Sequence, residues 1–220
     1  MELKDCSGYI FDMDGVVFNT EEVWKYAYMH ANKVMNANVS EDYRKTMCGK
    51  TREDIIRMMG NDFPGLDSLT YRLAAEDYTN TELREGRFEF RPHFLDFIKV
   101  LKAKNKKIAL ATSATRERTE FMFSKKNINK FDIFDGVISG DDVIGHSKPD
   151  PFIYRKAAET INLTEKDCCV IEDSINGIIG AYNGGFAPVM CVDLIEPDDF
   201  CLTHCKAIVR GFDELIKMID

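Results

Sequence analysis

Gly8-Tyr9-Ile10-Phe11-Asp12-Met13-Asp14-Gly15 is the stretch on which the fold turns. Tyr9-Ile10-Phe11 is apolar and too short for a helix, so it reads as a buried strand that stops where Asp12 begins. The same event recurs further along: Lys107-Ile108-Ala109-Leu110-Ala111 runs into Thr112-Ser113, and Cys168-Cys169-Val170-Ile171 runs into Glu172-Asp173-Ser174. Residues 186–192 and 208–209 read as further strands, and 136–138 as a weaker one. Between them lie helical patterns. Residues 92–104 place Phe94, Phe97, Ile98 and Leu101 at the i, i+3, i+4, i+7 spacing of an amphipathic helix. Residues 116–127, 151–161, 175–183 and 212–219 are expected to be helical too. Strand alternating with helix means parallel strands joined by crossover helices, hence an α/β fold with a doubly wound parallel sheet.

Residues 20–87 break that rhythm. Helical patterns cover 21–36, 41–47, 52–59 and 66–83, with no convincing strand among them. The insertion leaves the chain directly after the first strand and its loop, at the carboxyl ends of the strands, where open α/β sheets bind ligands. It is therefore expected to be an all-helical cap domain (20–87) inserted in an α/β core (1–19 and 88–220). Met29, Met35, Met58 and Met59 are expected to form its core.

The chain has 220 residues, 45% of them hydrophobic and 30% charged, as in an ordinary globular protein. Acidic residues outnumber basic ones by 37 to 29, a net charge of −8, which argues against nucleic acid as a partner. No run approaches the about 18 apolar residues of a membrane span, and the N-terminus does not read as a signal peptide. With seven cysteines, an odd number, the expectation is a reduced, cytoplasmic protein, monomeric or weakly oligomeric. Cys201-Leu202-Thr203-His204-Cys205 has no second pair at zinc spacing, so a zinc site is not expected there.

In a doubly wound sheet the polar residues that end the strands converge on one rim. The set is Asp12, Asp14, Thr112, Glu172 and Asp173, joined by Lys148 from a loop. Four carboxylates in one place repel one another unless a cation sits among them. Oxygen-only donors suit a hard ion, which points to Mg²⁺. Lys148 is no metal ligand; it supplies a fixed positive charge. The Thr112 hydroxyl can donate, and the Ser113 and Ala114 amides are candidates for binding anionic oxygens. The chemistry that uses these parts is phosphoryl transfer through a carboxylate, with Asp12 attacking phosphorus and Asp14 as acid and base. His30, His93, His146 and His204 have no partner at catalytic spacing.

These residues form four ordered motifs: Phe11-Asp12-Met13-Asp14-Gly15-Val16, Ala111-Thr112-Ser113, Ser147-Lys148-Pro149-Asp150-Pro151, and Val170-Ile171-Glu172-Asp173-Ser174 continuing to Gly177. In them the chain resembles the haloacid dehalogenase superfamily over essentially its whole length, in the branch with a helical cap that includes phosphatases and β-phosphoglucomutases. The resemblance implies that Asp12 is nucleophile and metal ligand, and that Asp14 is acid/base and binds metal through its carbonyl. It also implies that Asp173 binds the metal directly, Glu172 through water, and that Thr112, the Ser113 amide and Lys148 hold the phosphate. The second aspartate, Asp14, resembles the phosphatase type rather than the dehalogenase type.

Cys48-Gly49-Lys50-Thr51-Arg52 resembles the cap loop of sugar-phosphate mutases, which would put Lys50 and Arg52 at the pocket mouth. The chain departs from the mutase pattern elsewhere. Trp24 stands about where mutases carry a histidine, Cys48 where they carry a lysine, and Asn19 where many relatives have an acid. The expected activity is therefore a Mg²⁺-dependent phosphatase acting on a small phosphorylated metabolite, a sugar phosphate foremost. A β-phosphoglucomutase-type mutase is the alternative. A non-catalytic phospho-aspartate switch fits poorly, because receiver domains are shorter and lack a helical insertion after the first strand.

Overall fold

The computed structural model describes residues 2–47 and 52–220. Six strands form one fully parallel sheet: β1 (Gly8–Phe11), β2 (Lys107–Ala111), β3 (Gly136–Ile138), β4 (Cys168–Glu172), β5 (Ala187–Cys191) and β6 (Ala207–Val209). Their spatial order is β3-β2-β1-β4-β5-β6. Ten α-helices accompany them among the described residues: α1 (Thr20–Met35), α2 (Glu41–Met47), α3 (Arg52–Asp62), α4 (Ser68–Arg84), α5 (Phe94–Ala103), α6 (Arg116–Lys125), α7 (Phe152–Thr160), α8 (Ile175–Asn183), α9 (Asp199–His204) and α10 (Phe212–Ile219). The sheet is the doubly wound arrangement that the alternating pattern calls for.

Its core follows from the period-2 geometry of β1, whose four residues are all buried. Tyr9 and Phe11 point to one face and meet Phe94 and Phe97 of α5 and Phe212 of α10, with Phe11 5.7 Å from Phe94 and Tyr9 5.9 Å from Phe97. Ile10 points to the other face, into a cluster with Ile153, Tyr154 and Ala157 of α7 and Ala181 of α8. Both faces are covered, which is why these strands read as continuous apolar runs.

Register places the rim. Phe11 pairs with Leu110 on one side and Ile171 on the other, so the residues that follow β1 stand level with the end of β4. The Asp12 amide continues the ladder by donating to Ile171 O at 3.0 Å, and the Thr112 amide donates to Ile138 O at 3.0 Å. The strand order reverses direction between β1 and β4, a topological switch point, where open sheets leave a crevice at their carboxyl ends.

The chain divides into two compact units, Met1–Asn19 with Glu89–Asp220, and Thr20–Phe88. The second unit is α1 to α4, with a core of Ala27, Tyr28, Ala31, Ile55, Met59, Tyr71 and Ala75. Met35 and Met58 pack against it, but Met29 does not: it is 57% exposed. Residues 24, 27, 28, 31 and 35 share the inward stripe of α1, and position 29 falls on the opposite face of a 3.6-residue helix. In the first unit, the segments that leave for and return from the helices pair antiparallel at Phe18 and Phe90. Asn19 closes that pairing: its amide donates to Glu89 O and its Oδ1 accepts from the Glu89 amide.

One helix escapes the sequence reading. Residues 199–204 form α9, capped by the Asp198 carboxylate accepting from the Cys201 amide at 2.8 Å. Cys201 is buried there against Ile178, Met190 and Val192, and His204 Nδ1 meets Phe200 O at 2.9 Å. These are packing roles. No described helix is long and apolar enough to cross a membrane.

Candidate active site

Asp12 leaves β1 and is 7% exposed, which puts a carboxylate at the sheet's switch point with little water around it. Burial pushes its carboxyl up to about 7; the Lys148 charge opposes that shift and the Glu172 charge reinforces it. Lys148 Nζ donates to both Asp12 Oδ1 and Glu172 Oε1, bridging the first and fourth motifs. Burial alone would lower the lysine's pKa, but the two carboxylates outweigh it and hold the ammonium charged, well above the ordinary lysine value.

Glu172 is the last residue of β4 and is essentially inaccessible. A buried carboxylate is costly unless its lone pairs are filled, and these are. Oε1 accepts from Lys148 and from Tyr154 Oη at 2.9 Å. Oε2 accepts from the Asp173 amide at 3.1 Å, the Ser174 amide at 3.0 Å and Ser174 Oγ at 2.8 Å. Burial favours the neutral acid, yet Lys148 and the Ser174 donors win and hold Glu172 below the usual carboxylate range. Ser174 also caps α8, taking the Gly177 amide at 3.0 Å on Oγ. Gly177 has to be small, because a Cβ there would stand 2.1 Å from the Glu172 carboxyl carbon.

Asp173 follows, half-buried, and leans on the first-motif turn. Gly15 has a left-handed φ of 75°, and a Cβ on it would lie 2.2 Å from Asp173 Oδ2. Carboxylate oxygens of Asp12, Glu172 and Asp173 come within 4.8 Å of one another. An oxygen-only set of this size suits a hard divalent cation. Within the trio, Glu172 already accepts five donors, and Asp12 accepts from Lys148.

Asp14 stands apart from that trio: its Oδ1 accepts from Arg118 Nη2 at 2.8 Å. Thr112 is buried, and its Oγ1 accepts from the Ala114 amide at 3.1 Å. In this structure the Ala114 amide thereby closes the turn after β2. Gly140 packs beneath this turn, where a Cβ would be 2.4 Å from Ser113 O. His146, by contrast, is an exposed loop residue whose Nδ1 meets Asp150 Oδ2 at 2.7 Å.

In the helical unit, Trp24 is half-buried, with the Arg72 guanidinium 4.3 Å from its ring centroid. Arg52 is exposed and its Nε pairs with Glu76 Oε1 at 3.0 Å, while Arg72 Nε takes the same oxygen at 2.9 Å. Cys48, Gly49 and Lys50 lie outside the described residues.

Three site residues were missing from the sequence reading. Tyr154 sits on α7 at a position indistinguishable from its apolar neighbours Ile153 and Ala157. Arg118 falls in the first turn of α6, after the Thr115 cap. Arg91 precedes Pro92 in the returning segment, is 8% exposed, and donates from Nη1 to Gly15 O at 2.7 Å. In the sequence only its place before Pro92 sets Arg91 apart, and that marks no role.

Comparison with known proteins matches this chain over residues 9–191 to the model of the haloacid dehalogenase-like hydrolases. It is 29% identical to a probable pseudouridine-5'-phosphatase of Saccharomyces cerevisiae, covering 99% of this chain and 94% of that one. It is 26% identical to a phosphorylated carbohydrates phosphatase of Thermotoga maritima, over 80% of each. Among solved structures, a putative β-phosphoglucomutase from Thermotoga maritima superposes with a TM-score of 0.76 over 97% of this chain and 98% of that one, at 22% identity. A shared fold, and a family model spanning all four motifs, make the conclusion direct: the chain belongs to the haloacid dehalogenase-like hydrolase family.

Proposed function

We infer that the protein is a phosphatase for small phosphorylated metabolites, sugar phosphates foremost, working through an aspartyl-phosphate on Asp12 with Mg²⁺ as its metal. The observation that carries this reading is Lys148 bridging Asp12 and Glu172 at the switch point, with Asp173 alongside. A nucleophilic carboxylate needs a neighbouring cation that is not itself consumed, and Lys148 is buried and charged. Asp12 and Asp173 would hold the metal, with the Asp14 carbonyl, and Glu172 would act behind them. When bound, the ion supplies positive charge against the phosphoryl oxygens.

In the first step a carboxylate oxygen of Asp12 forms a bond to phosphorus. The bond from phosphorus to the leaving oxygen breaks, and its electron pair stays on that oxygen, which takes a proton from Asp14. In the second step a water attacks the aspartyl phosphate while Asp14 takes its proton. The bond from phosphorus to Asp12 breaks, returning the carboxylate and releasing inorganic phosphate. Lys148, Thr112 Oγ1 and the Ser113 amide face the equatorial oxygens, where charge is spread in the transition state. The inserted helices, as a cap, would select the group that carries the phosphate.

No observation favours the mutase alternative. The relatives above that exceed 25% identity bear phosphatase names, and the β-phosphoglucomutase likeness, at 22%, is one of fold. The test is phosphate release from a panel of phosphorylated metabolites with Mg²⁺, for the wild type, for Asp12→Asn and after EDTA. Turnover is expected only in the wild type with metal; appreciable release by Asp12→Asn would remove Asp12 as nucleophile. With β-glucose 1-phosphate and glucose 1,6-bisphosphate, more glucose 6-phosphate than free phosphate would instead establish the mutase.

A further inference from the structure

Arg91 belongs to none of the four motifs, yet it is a buried cation with its guanidinium spread across three strand ends. Nη1 donates to Gly15 O at 2.7 Å and pairs with Asp193 Oδ1 at 3.1 Å. Nη2 donates to Val192 O at 3.1 Å and Arg210 O at 3.2 Å, with Cys191 Sγ at 3.8 Å. The three carbonyls among these acceptors follow β1, β5 and β6, where the ladders have ended and carbonyls need donors. Its backbone joins in, the Arg91 amide donating to Val17 O at 2.9 Å. One residue thus grips the first-motif loop at Gly15 and again at Val17.

What Gly15 touches gives this grip its consequence. Its Cα faces Asp173 so closely that even a methyl group would overlap Oδ2. Gly15 is therefore the wall against which the Asp173 carboxylate rests, and Asp14 is the residue before it. Desolvating a guanidinium costs several kcal/mol unless its donors are used, so an arginine kept here for packing alone would be replaceable by an apolar side chain. Its planar fork suits several fixed acceptors in a way that a lysine ammonium does not.

We propose that Arg91 is the positioning residue of the metal site: by fixing Gly15 it sets the separation between Asp12 and Asp173 and hence the affinity for the divalent cation. The proposal rests on the reading of Asp12 and Asp173 as the metal ligands. Arg91 does not touch the reacting atoms, so its effect belongs in cation binding and not in the chemical step.

The experiment is calorimetric titration of Mg²⁺ into the wild type, Arg91→Met and Arg91→Lys, with circular dichroism to establish folding and phosphate release measured across Mg²⁺ concentrations. Removing an outer partner of a metal site costs about 10- to 100-fold in affinity. Arg91→Met is expected to show that loss, and Arg91→Lys an intermediate loss of at least threefold. Half-saturating Mg²⁺ for turnover should rise in parallel, with kcat at saturating Mg²⁺ kept within a few-fold. Affinities within twofold of wild type in the folded variants would overturn the proposal, as would unchanged affinity with kcat lost. Should Arg91→Met fail to fold, Arg91→Lys decides by the same criterion. If the wild type itself takes up no Mg²⁺, the underlying reading of the metal site fails, and the Arg91 proposal with it. If only the variants match wild type, that reading stands and the Arg91 proposal alone falls.

Discussion

Replacing Gly177 by alanine is the sharpest single test of how the site is packed, because general helix rules and this structure predict opposite signs. Gly177 lies in the first turn of α8, and glycine to alanine inside a helix is ordinarily worth up to about 1 kcal/mol of added stability. Here the new methyl would stand 2.1 Å from the Glu172 carboxyl carbon and 2.3 and 2.4 Å from its oxygens. Carbon atoms rest at roughly 3.5–4.0 Å, so the carboxylate or the helix must yield by more than about 1 Å. Overpacking of that kind costs about 1–3 kcal/mol. The displaced carboxylate also holds Lys148, Tyr154 and Ser174, and each weakened hydrogen bond to a charged group adds up to about 1.5–3 kcal/mol. The net expectation is a loss of about 2–4 kcal/mol, seen as a melting temperature lowered by roughly 5–15 °C for a domain of this size. Phosphate release, assayed well below the transition, should fall beyond what the unfolded fraction explains, because Lys148 loses its second anchor. A variant as stable and as active as the wild type would refute the picture of Glu172 as a rigidly seated hub.

Gly60→Ala is the matching control: it is exposed on α3 and its Cβ would meet only Ser68 Oγ at 3.4 Å, so thermal unfolding should show a gain of about 0.5–1 kcal/mol. Tyr154→Phe keeps the ring beside Lys148 but removes the hydroxyl donor to Glu172. Denaturant unfolding should register a loss of about 1.5–3 kcal/mol, and no loss would mean that the remaining donors suffice. Arg118→Met releases Asp14 from its partner, so kcat/KM for an alkyl phosphate, which needs a proton on its leaving oxygen, should fall about 10-fold or more. For p-nitrophenyl phosphate, whose leaving group needs little help, it should stay within a few-fold; equal losses on both would point to general disruption.

How much of this was legible beforehand depends on the distance over which each residue acts. Strand ends are local events: an apolar run of four or five residues followed by Asp12, Thr112 or Glu172 announces both the strand and its rim, and the parallel sheet then gathers those rims. The six strands and the helical insertion are readable for the same reason, since burial on both faces leaves unbroken apolar runs and amphipathic helices leave a stripe. The short α9 was missed because six residues carry too little periodicity, and Met29 because a stripe read by count and not by angle admits residues from the far face. The Ala114 amide's bond to Thr112, which closes the turn after β2, is only two residues long but depends on exact backbone course, which spacing does not record.

The partners of the motif residues were out of reach for a different reason. Tyr154 acts on Glu172 across 18 residues, Arg91 on Gly15 across 76 and Arg118 on Asp14 across 104. None is marked by spacing, because each is recruited from whichever element the sheet happens to bring alongside. Such residues decide whether a set of carboxylates is merely present or held at working distance. A charged cluster in an apolar crevice is stable only when nearly every lone pair and N–H is matched, so the number of residues that matter must exceed the number that do chemistry. Glu172, with five donors on two oxygens, shows the ratio: one carboxylate needs a lysine, a tyrosine, a serine and two backbone amides to stay charged and still. Sequence motifs record the residues that chemistry cannot vary, whereas this outer set answers to geometry and donor chemistry, which no spacing along the chain reveals.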